Sequence, residues 1–251
     1  MKHQTSRVRF DSRKRTLNVL SKLHITPRML RIVAGGDDLA DFTSLSADDH
    51  FKLFVPGKSG ELESRDFTPR RFDADSRQLT IDFALHQAGP AIEWAKEAKI
   101  GDSLTIGGPR GSFVVPDDFD WWLLIGDETA LPSIGRRVEE LSKGTRAITL
   151  VAVTDRAEEQ VFNTKADHQA LWAYRSPHEV THPEPLLSVL SEIQLPPGDG
   201  YVWIAAEVNV ARAVKKHMIS NVRHPLHWLR ATGYWVKGKA DTYEKLEIDG
   251  R

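Results

Sequence analysis

The chain contains no cysteine. That excludes disulfides, thiolate metal sites, cysteine-ligated iron–sulfur clusters and thiol redox chemistry within it, so any electron chemistry requires a bound cofactor. No apolar run approaches the roughly 20 residues that a membrane-crossing helix needs. The start, Met1-Lys2-His3-Gln4, lacks the apolar core of a secretion signal, so a cytoplasmic protein without membrane insertion is expected. Net charge is −1, and no global basic signature of nucleic-acid binding exists. Charge is uneven, however: residues 1–31 hold nine Lys and Arg against the single acid Asp11. A solvated basic face and an anion-attracting patch both fit, but no aromatics are interleaved as a nucleic-acid surface would require. No Walker A loop, G-x-S-x-G elbow or G-x-G-x-x-G turn occurs. The pairs His178/His182 and His224/His227 are interrupted by Pro183 and Pro225, so no metal site is expected.

What is present is a change of pattern along the chain. At 251 residues the chain has room for one large domain or two ordinary ones. Residues 15–115 read as short strands divided by turn signals: Thr16–Leu23, Met29–Val33, His50–Val55, Phe67–Phe72, Gln78–Leu85 and Ser103–Gly107. Six antiparallel strands at that spacing predict a compact barrel or sandwich, interrupted by one helix over Pro90–Ala98. After the Pro116-Asp117-Asp118 turn, strand-like runs at Trp121–Ile125, Ala147–Val153, Ala170–Tyr174, Tyr201–Ala205 and Leu226–Ala231 appear. Helical patterns fall between several of them, at Ser133–Leu141, Pro185–Leu190 and Val208–Ile219. That alternation predicts a mostly parallel α/β sheet. Two domains are expected, residues 1–117 and 118–251.

Within the first, Arg65-Asp66-Phe67-Thr68-Pro69-Arg70 combines cations, a ring and a hydroxyl. Read as one strand, it is expected to present Arg65, Phe67 and Thr68 on a single face suited to a flavin nucleotide: stacking by Phe67, a donor from Thr68, and phosphate neutralisation by Arg65 or Arg70. An edge strand with exposed arginines and a core phenylalanine is the bland alternative. The run from Asp82 through His86 to Gly89-Pro90-Ala91 passes from a strand into a helix start, where unpaired amides and the helix dipole favour phosphate. His86 fits either a ligand or a structural histidine. In the second domain, Gly126-Asp127-Glu128-Thr129-Ala130 stands where α/β nucleotide-binding domains carry a glycine-rich loop, yet its two acids would repel a pyrophosphate. Thr129 and Ala130 are therefore expected to approach a flavin, with Asp127 and Glu128 organising the loop or the domain interface. Glu207 fits either a ligand-side residue at a strand end or a helix N-terminal acid.

These motifs, in this order, resemble those of the siderophore-interacting protein family, flavin-dependent ferric-siderophore reductases related to ferredoxin–NADP reductases. Trp94-Ala95, Gly108-Pro109-Arg110-Gly111, Trp203-Ile204-Ala205-Ala206-Glu207 and Gly233-Tyr234-Trp235 complete the match, which spans about residues 15–240. The resemblance implies an FAD-binding β-barrel, an NAD(P)-binding-like α/β domain and one-electron reduction of a chelated ferric ion. It implies FAD contacts at Arg65, Phe67, Thr68, Arg70, Asp82, Phe83, Leu85, His86, Gly89, Pro90, Ala91, Trp94, Thr129, Ala130 and Trp235, with the redox chemistry on the flavin and no catalytic side chain. Lys52, similar in place to a basic residue of the family, and Lys237 and Lys239 are candidates for an anionic chelate, surface charge being the alternative for all three. Phe67 stands where tyrosine is usual, and Val236 where a basic residue is common. The expected partners are a ferric siderophore and NAD(P)H or ferredoxin, the short C-terminal tail looking more like the NAD(P)H-using branch, and a monomer is expected. A general NAD(P)H:flavin or quinone-type reductase, and a non-catalytic flavin- or siderophore-binding protein, are the alternatives.

Overall fold

The computed structural model describes residues 2–57, 61–85, 89–239 and 242–246. The chain divides into two compact units: Met1–Pro116 with Gly135–Arg137, and Asp117–Ile134 with Val138–Arg251.

The first unit is antiparallel. Strands β1 (Ser6–Arg9), β2 (Lys14–Thr26), β3 (Met29–Gly35), β4 (Phe51–Pro56), β5 (Leu62–Phe67), β6 (Arg71–Asp73), β7 (Gln78–Ala84), β8 (Ser103–Gly107) and β9 (Gly111–Val114) are joined by one helix, α1 (Pro90–Glu97). Seven of the strands make one sheet in the order β5-β4-β8-β2-β3-β7-β6, and β1 pairs with β9 separately. The expected six-strand count is thus corrected. The presumed single strand Phe67–Phe72 is two strands, β5 and β6, separated at Thr68-Pro69-Arg70. Pro69 lacks an N–H for a ladder, so the break falls where pairing fails. Among the described residues no ladder joins the two end strands β5 and β6. Alternation of apolar and polar residues in β2, β3, β4 and β7 buries Leu17, Leu30, Ile32, Leu53, Ile81 and Phe83, against which Ala91 and Ala95 of α1 pack.

The second unit is built on β10 (Trp121–Asp127), β11 (Arg146–Val153), β12 (Asp167–Tyr174), β13 (Gly200–Glu207), β14 (Leu229–Trp235) and β15 (Glu244–Lys245), in the order β12-β11-β10-β13-β14-β15. The first five run parallel, and β15 is antiparallel to β14. Helices α2 (Leu131–Glu140), α3 (Glu184–Glu192) and α4 (Val208–Ser220) connect them. Strands β10 and β13 are buried along their whole length, as parallel strands covered on both faces must be. Trp121, Leu123 and Ile125 face α3 and α4. A Cβ at Gly126 would lie 2.4 Å from the Ala130 side chain and 2.6 Å from the Ala205 carbonyl, so only glycine lets the chain turn from β10 into α2 at that spot. Residues 226–228, expected as strand, form a 3-10 turn before β14. The chain leaves β10 on one side for β11 and β12 and returns on the other for β13 and β14. The switch point of the sheet therefore lies between β10 and β13, the place where open α/β sheets take ligands at their carboxyl ends.

Candidate functional site

In the first unit the flavin-strand residues separate into two groups. Arg65 and Phe67 lie two apart on β5 and share a face, whereas Thr68 lies beyond the strand and is buried with Pro69 and Arg70. The expected common face of Arg65, Phe67 and Thr68 is corrected: a period of two puts adjacent residues on opposite faces, and the strand stops at Phe67. Arg65 is half-buried and donates to Glu63 Oε2 at 2.7 Å and to the Ser64 carbonyl at 2.8 Å. Phe67 is half-buried with its ring 4.6 Å from that of Phe83, which in turn lies 6.2 Å from Trp94.

Arg70 joins a buried charge cluster. Asp82 on β7 stands opposite Arg31 on β3, and the pair is bidentate at 2.7 Å through both oxygens. The Arg70 Nε lies 3.8 Å from the same carboxylate. The two guanidiniums offset the buried carboxylate's charge, which could not be carried there uncompensated. Arg31 was not foreseen; its signal was a charged residue inside an apolar strand, opposite an acid. Three of the implied cofactor residues have their side chains turned to the interior or already engaged. Phe83 is fully buried in the core, Ala91 nearly so, and both carboxylate oxygens of Asp82 are committed to Arg31. Leu85 and Trp94 are half-buried against the same core. Gly89 precedes α1 in an extended conformation, Pro90 occupies the first turn, and an added Cβ at Gly89 would meet nothing within 4 Å. Among the described residues nothing therefore crowds Gly89, a setting that fits a phosphate. His86 lies outside the described residues. Lys52 on β4 is opposite Asp66 on β5 and bonds its carboxylate at 3.0 Å, so its charge is partly matched.

In the second unit one carboxylate organises the carboxyl ends of three strands. Asp127, buried at the end of β10, accepts through Oδ1 from the Thr129 N–H at 2.9 Å and hydroxyl at 2.6 Å. Through Oδ2 it accepts from the Glu207 N–H and from the Trp235 indole N–H, both at 2.9 Å. Glu207 is fully buried and caps α4: its Oε2 accepts from Asn209 N–H at 2.7 Å and Val210 N–H at 3.4 Å, and its Oε1 accepts from Lys237 N–H at 3.4 Å. Of its two readings the helix-terminal one holds. Glu128 pairs with Arg175 at the end of β12, Nη2 to Oε2 at 2.6 Å. Thr129 and Trp235 are brought together by Asp127. Ala130 is fully buried against Gly126. Lys237 and Lys239 are exposed on a turn closed by Lys239 N–H donating to the Val236 carbonyl at 3.0 Å. Among the described residues no group of three or more His, Asp or Glu side chains could hold a metal ion. Arg175 was missed; a cation at the end of an otherwise apolar strand was the available sign.

An antiparallel unit with an open helix start, followed by a switch-point α/β unit, is the class of two-part flavin reductase folds. The sequence matches the family described as siderophore-interacting protein over residues 119–238, and the siderophore-interacting FAD-binding domain over residues 18–64 and 58–113. The NADPH-dependent ferric-chelate reductase of Escherichia coli is 34% identical, covering 91% of this chain and 95% of that protein. The ferric vibriobactin reductase ViuB of Vibrio cholerae is 27% identical, covering 90% of both. The crystal structure of a siderophore utilization protein from T. fusca superposes with a TM-score of 0.89 at 32% identity, covering 95% of this chain and 98% of that one. The chain belongs to the siderophore-interacting protein family.

Proposed function

We propose that this protein is an FAD-dependent reductase that passes electrons from NADPH to Fe(III) held in a siderophore, releasing Fe(II). The observation that carries it is that the likeness to a ferric-chelate reductase runs through both units in one alignment. In the first unit Arg65 would neutralise phosphate, Phe67 would stack on the isoalloxazine, and the open start of α1 at Gly89-Pro90 would take further phosphate oxygens. Thr68, Arg70, Leu85, His86 and Trp94 complete that surface in the proposal, while Asp82, Phe83 and Ala91 support it from behind. Thr129 and Trp235, held by Asp127, are proposed as the second unit's contacts with the flavin. Bound FAD supplies the chemistry a ferric ion needs, accepting a hydride as a pair and giving up electrons singly. The siderophore already ligates the iron, so the chain needs no iron ligands of its own. Its task is to attract an anionic chelate, which we assign to Lys52, Lys237 and Lys239.

Purified protein should be yellow, release FAD on denaturation, and bleach with NADPH under anaerobic conditions. Adding a ferric siderophore with an Fe(II)-trapping dye should restore the oxidised flavin spectrum and develop the ferrous colour. Reoxidation by a quinone but not by ferric chelates would replace this function with a general reductase. A protein that binds FAD but is not bleached by NADPH would point to a binding role or to ferredoxin as donor.

A further inference from the structure

Among the described residues, three buried side-chain atoms on the segments that follow β11 and β12 have no hydrogen-bond partner: Arg175 Nη1, Thr154 Oγ1 and Gln160 Nε2. All three are donors or can act as one. They lie on the segments that leave β11 and β12, two neighbouring strands. Val153 and Tyr174 are paired in the ladder, and the Arg175 N–H donates to the Val153 carbonyl at 3.0 Å, so Thr154 and Arg175 leave the sheet at the same level. The Tyr174 hydroxyl bonds the Glu159 carboxylate, so the residue next to Gln160 meets the end of β12. This is the carboxyl end of the sheet, on the β11 side of the switch point.

The guanidinium there is nearly inaccessible, with a side chain 2% exposed, and is held by Glu128 through one nitrogen only. Glu128 comes from the end of β10 and reaches across the end of β11, which lies between β10 and β12. A buried arginine engaged by one carboxylate oxygen, with its second nitrogen idle, is an incomplete arrangement. Guanidinium groups match tetrahedral or planar oxyanions through two parallel donors. Resting on the proposed use of a pyridine nucleotide, we infer that Arg175 is the phosphate-binding residue for that nucleotide. Glu128 is its resident counter-ion, displaced when the phosphate arrives, and Thr154 and Gln160 supply further donors. This accounts for an acid in a loop where a phosphate would be expected: Glu128 keeps the buried cation neutralised until the nucleotide replaces it. No bond is made or broken; one anion exchanges for another.

The test is equilibrium binding of NADP⁺ and NAD⁺ to the FAD-loaded protein, read by calorimetry rather than by turnover. Arg175→Met should weaken NADP⁺ binding at least tenfold. Loss confined to NADP⁺ identifies the 2′-phosphate, and equal loss for both identifies the pyrophosphate; either supports the inference. Glu128→Gln, which keeps the hydrogen bond but removes the competing charge, should tighten NADP⁺ severalfold. If Arg175→Met fails to fold because Glu128 loses its facing cation, the double variant Glu128→Gln/Arg175→Met carries the same arm. Unchanged NADP⁺ affinity in the Arg175 variants would overturn the phosphate assignment, and unchanged or weaker binding by Glu128→Gln would overturn the exchange. A wild-type protein that binds neither nucleotide while holding FAD would remove the donor assignment itself and this inference with it.

Discussion

Two buried carboxylates, Asp82 in the first unit and Asp127 in the second, are neutralised in different ways. In the antiparallel unit Asp82 is met by cations, Arg31 across the ladder and Arg70 from the loop after β5. In the parallel unit Asp127 is met by dipoles: two backbone N–H groups, a hydroxyl and an indole. The difference follows from sheet type. In an antiparallel sheet a strand's interior residue faces a residue of the next strand, so a charge finds its partner by register. At the carboxyl ends of parallel strands the chain is turning into helices, and unpaired N–H groups are what is available. A cation-compensated carboxylate fixes a core; a dipole-compensated one gathers loops.

The largest test of that contrast is Asp82→Asn. It removes the charge that Arg31 pairs with and that the buried Arg70 approaches, for an expected loss of about 3–5 kcal/mol in denaturant unfolding. A loss below about 1 kcal/mol would mean the arginines relax to water and the cluster is not a core element. Next in size, Arg65→Ala is expected to weaken FAD binding by about 1.5–3 kcal/mol through loss of a charge-assisted contact, while Phe67→Tyr retains the cofactor. Equal FAD affinity in wild type and Arg65→Ala would remove Arg65 from the proposed site. Asp127→Asn should be milder than Asp82→Asn, at about 1–3 kcal/mol, because it weakens hydrogen bonds from neutral donors rather than removing the charge that faces two cations. If the two substitutions cost the same, the distinction between cations and dipoles fails.

Smaller still are the pH effects, which should run in opposite directions in the two units. Burial raises the Asp49 carboxyl above its ordinary value near 3.8, against hydrogen bonds from Ser112, Ser46 and Ser44. Its neutral form is favoured by folding, so its contribution is present at low pH and is lost as pH rises through the raised value. Burial lowers His168 and His224 below 6.5, the Trp228 carbonyl partly opposing this at His224. Their contribution is present above about pH 6.5 and is lost as pH falls through the lowered values. Melting curves across pH should therefore flatten at the acid side for His224→Gln and above the ordinary carboxylate range for Asp49→Asn. Identical slopes in wild type and both variants would show that other groups set the pH dependence. Smallest in stability is Lys52→Ala, at under about 1 kcal/mol for a half-exposed pair, with a salt-sensitive rise in KM for an anionic chelate as its functional mark.

What was legible in advance tracks burial. Strands β10, β11 and β13 read plainly because both faces are covered and each is a continuous apolar run. The edge strand β12 read weakly and started late, its first residues being largely exposed. Strand β5 was misplaced because Leu-Glu-Ser-Arg-Asp-Phe carries no alternation, and only its ladder with β4 makes it a strand. Helix α1 was visible from Pro90 and the helix formers after it. At the end of β10, Asp127 and Glu128 read as organising residues beside a Thr129-Ala130 flavin contact, but the partners of the two acids were not foreseen.

By itself the sequence determined that an antiparallel sheet precedes a mostly parallel one, and the family, since periodicity, turn residues and short motifs are local properties of the chain. Only the tertiary structure decided which charges meet. Asp127 and Trp235 are separated by 108 positions, Glu128 and Arg175 by 47, and Arg31 and Asp82 by 51. No local pattern encodes such pairs, because what selects them is the cost of leaving a polar group buried and alone. That cost exists only once the strands have closed around it.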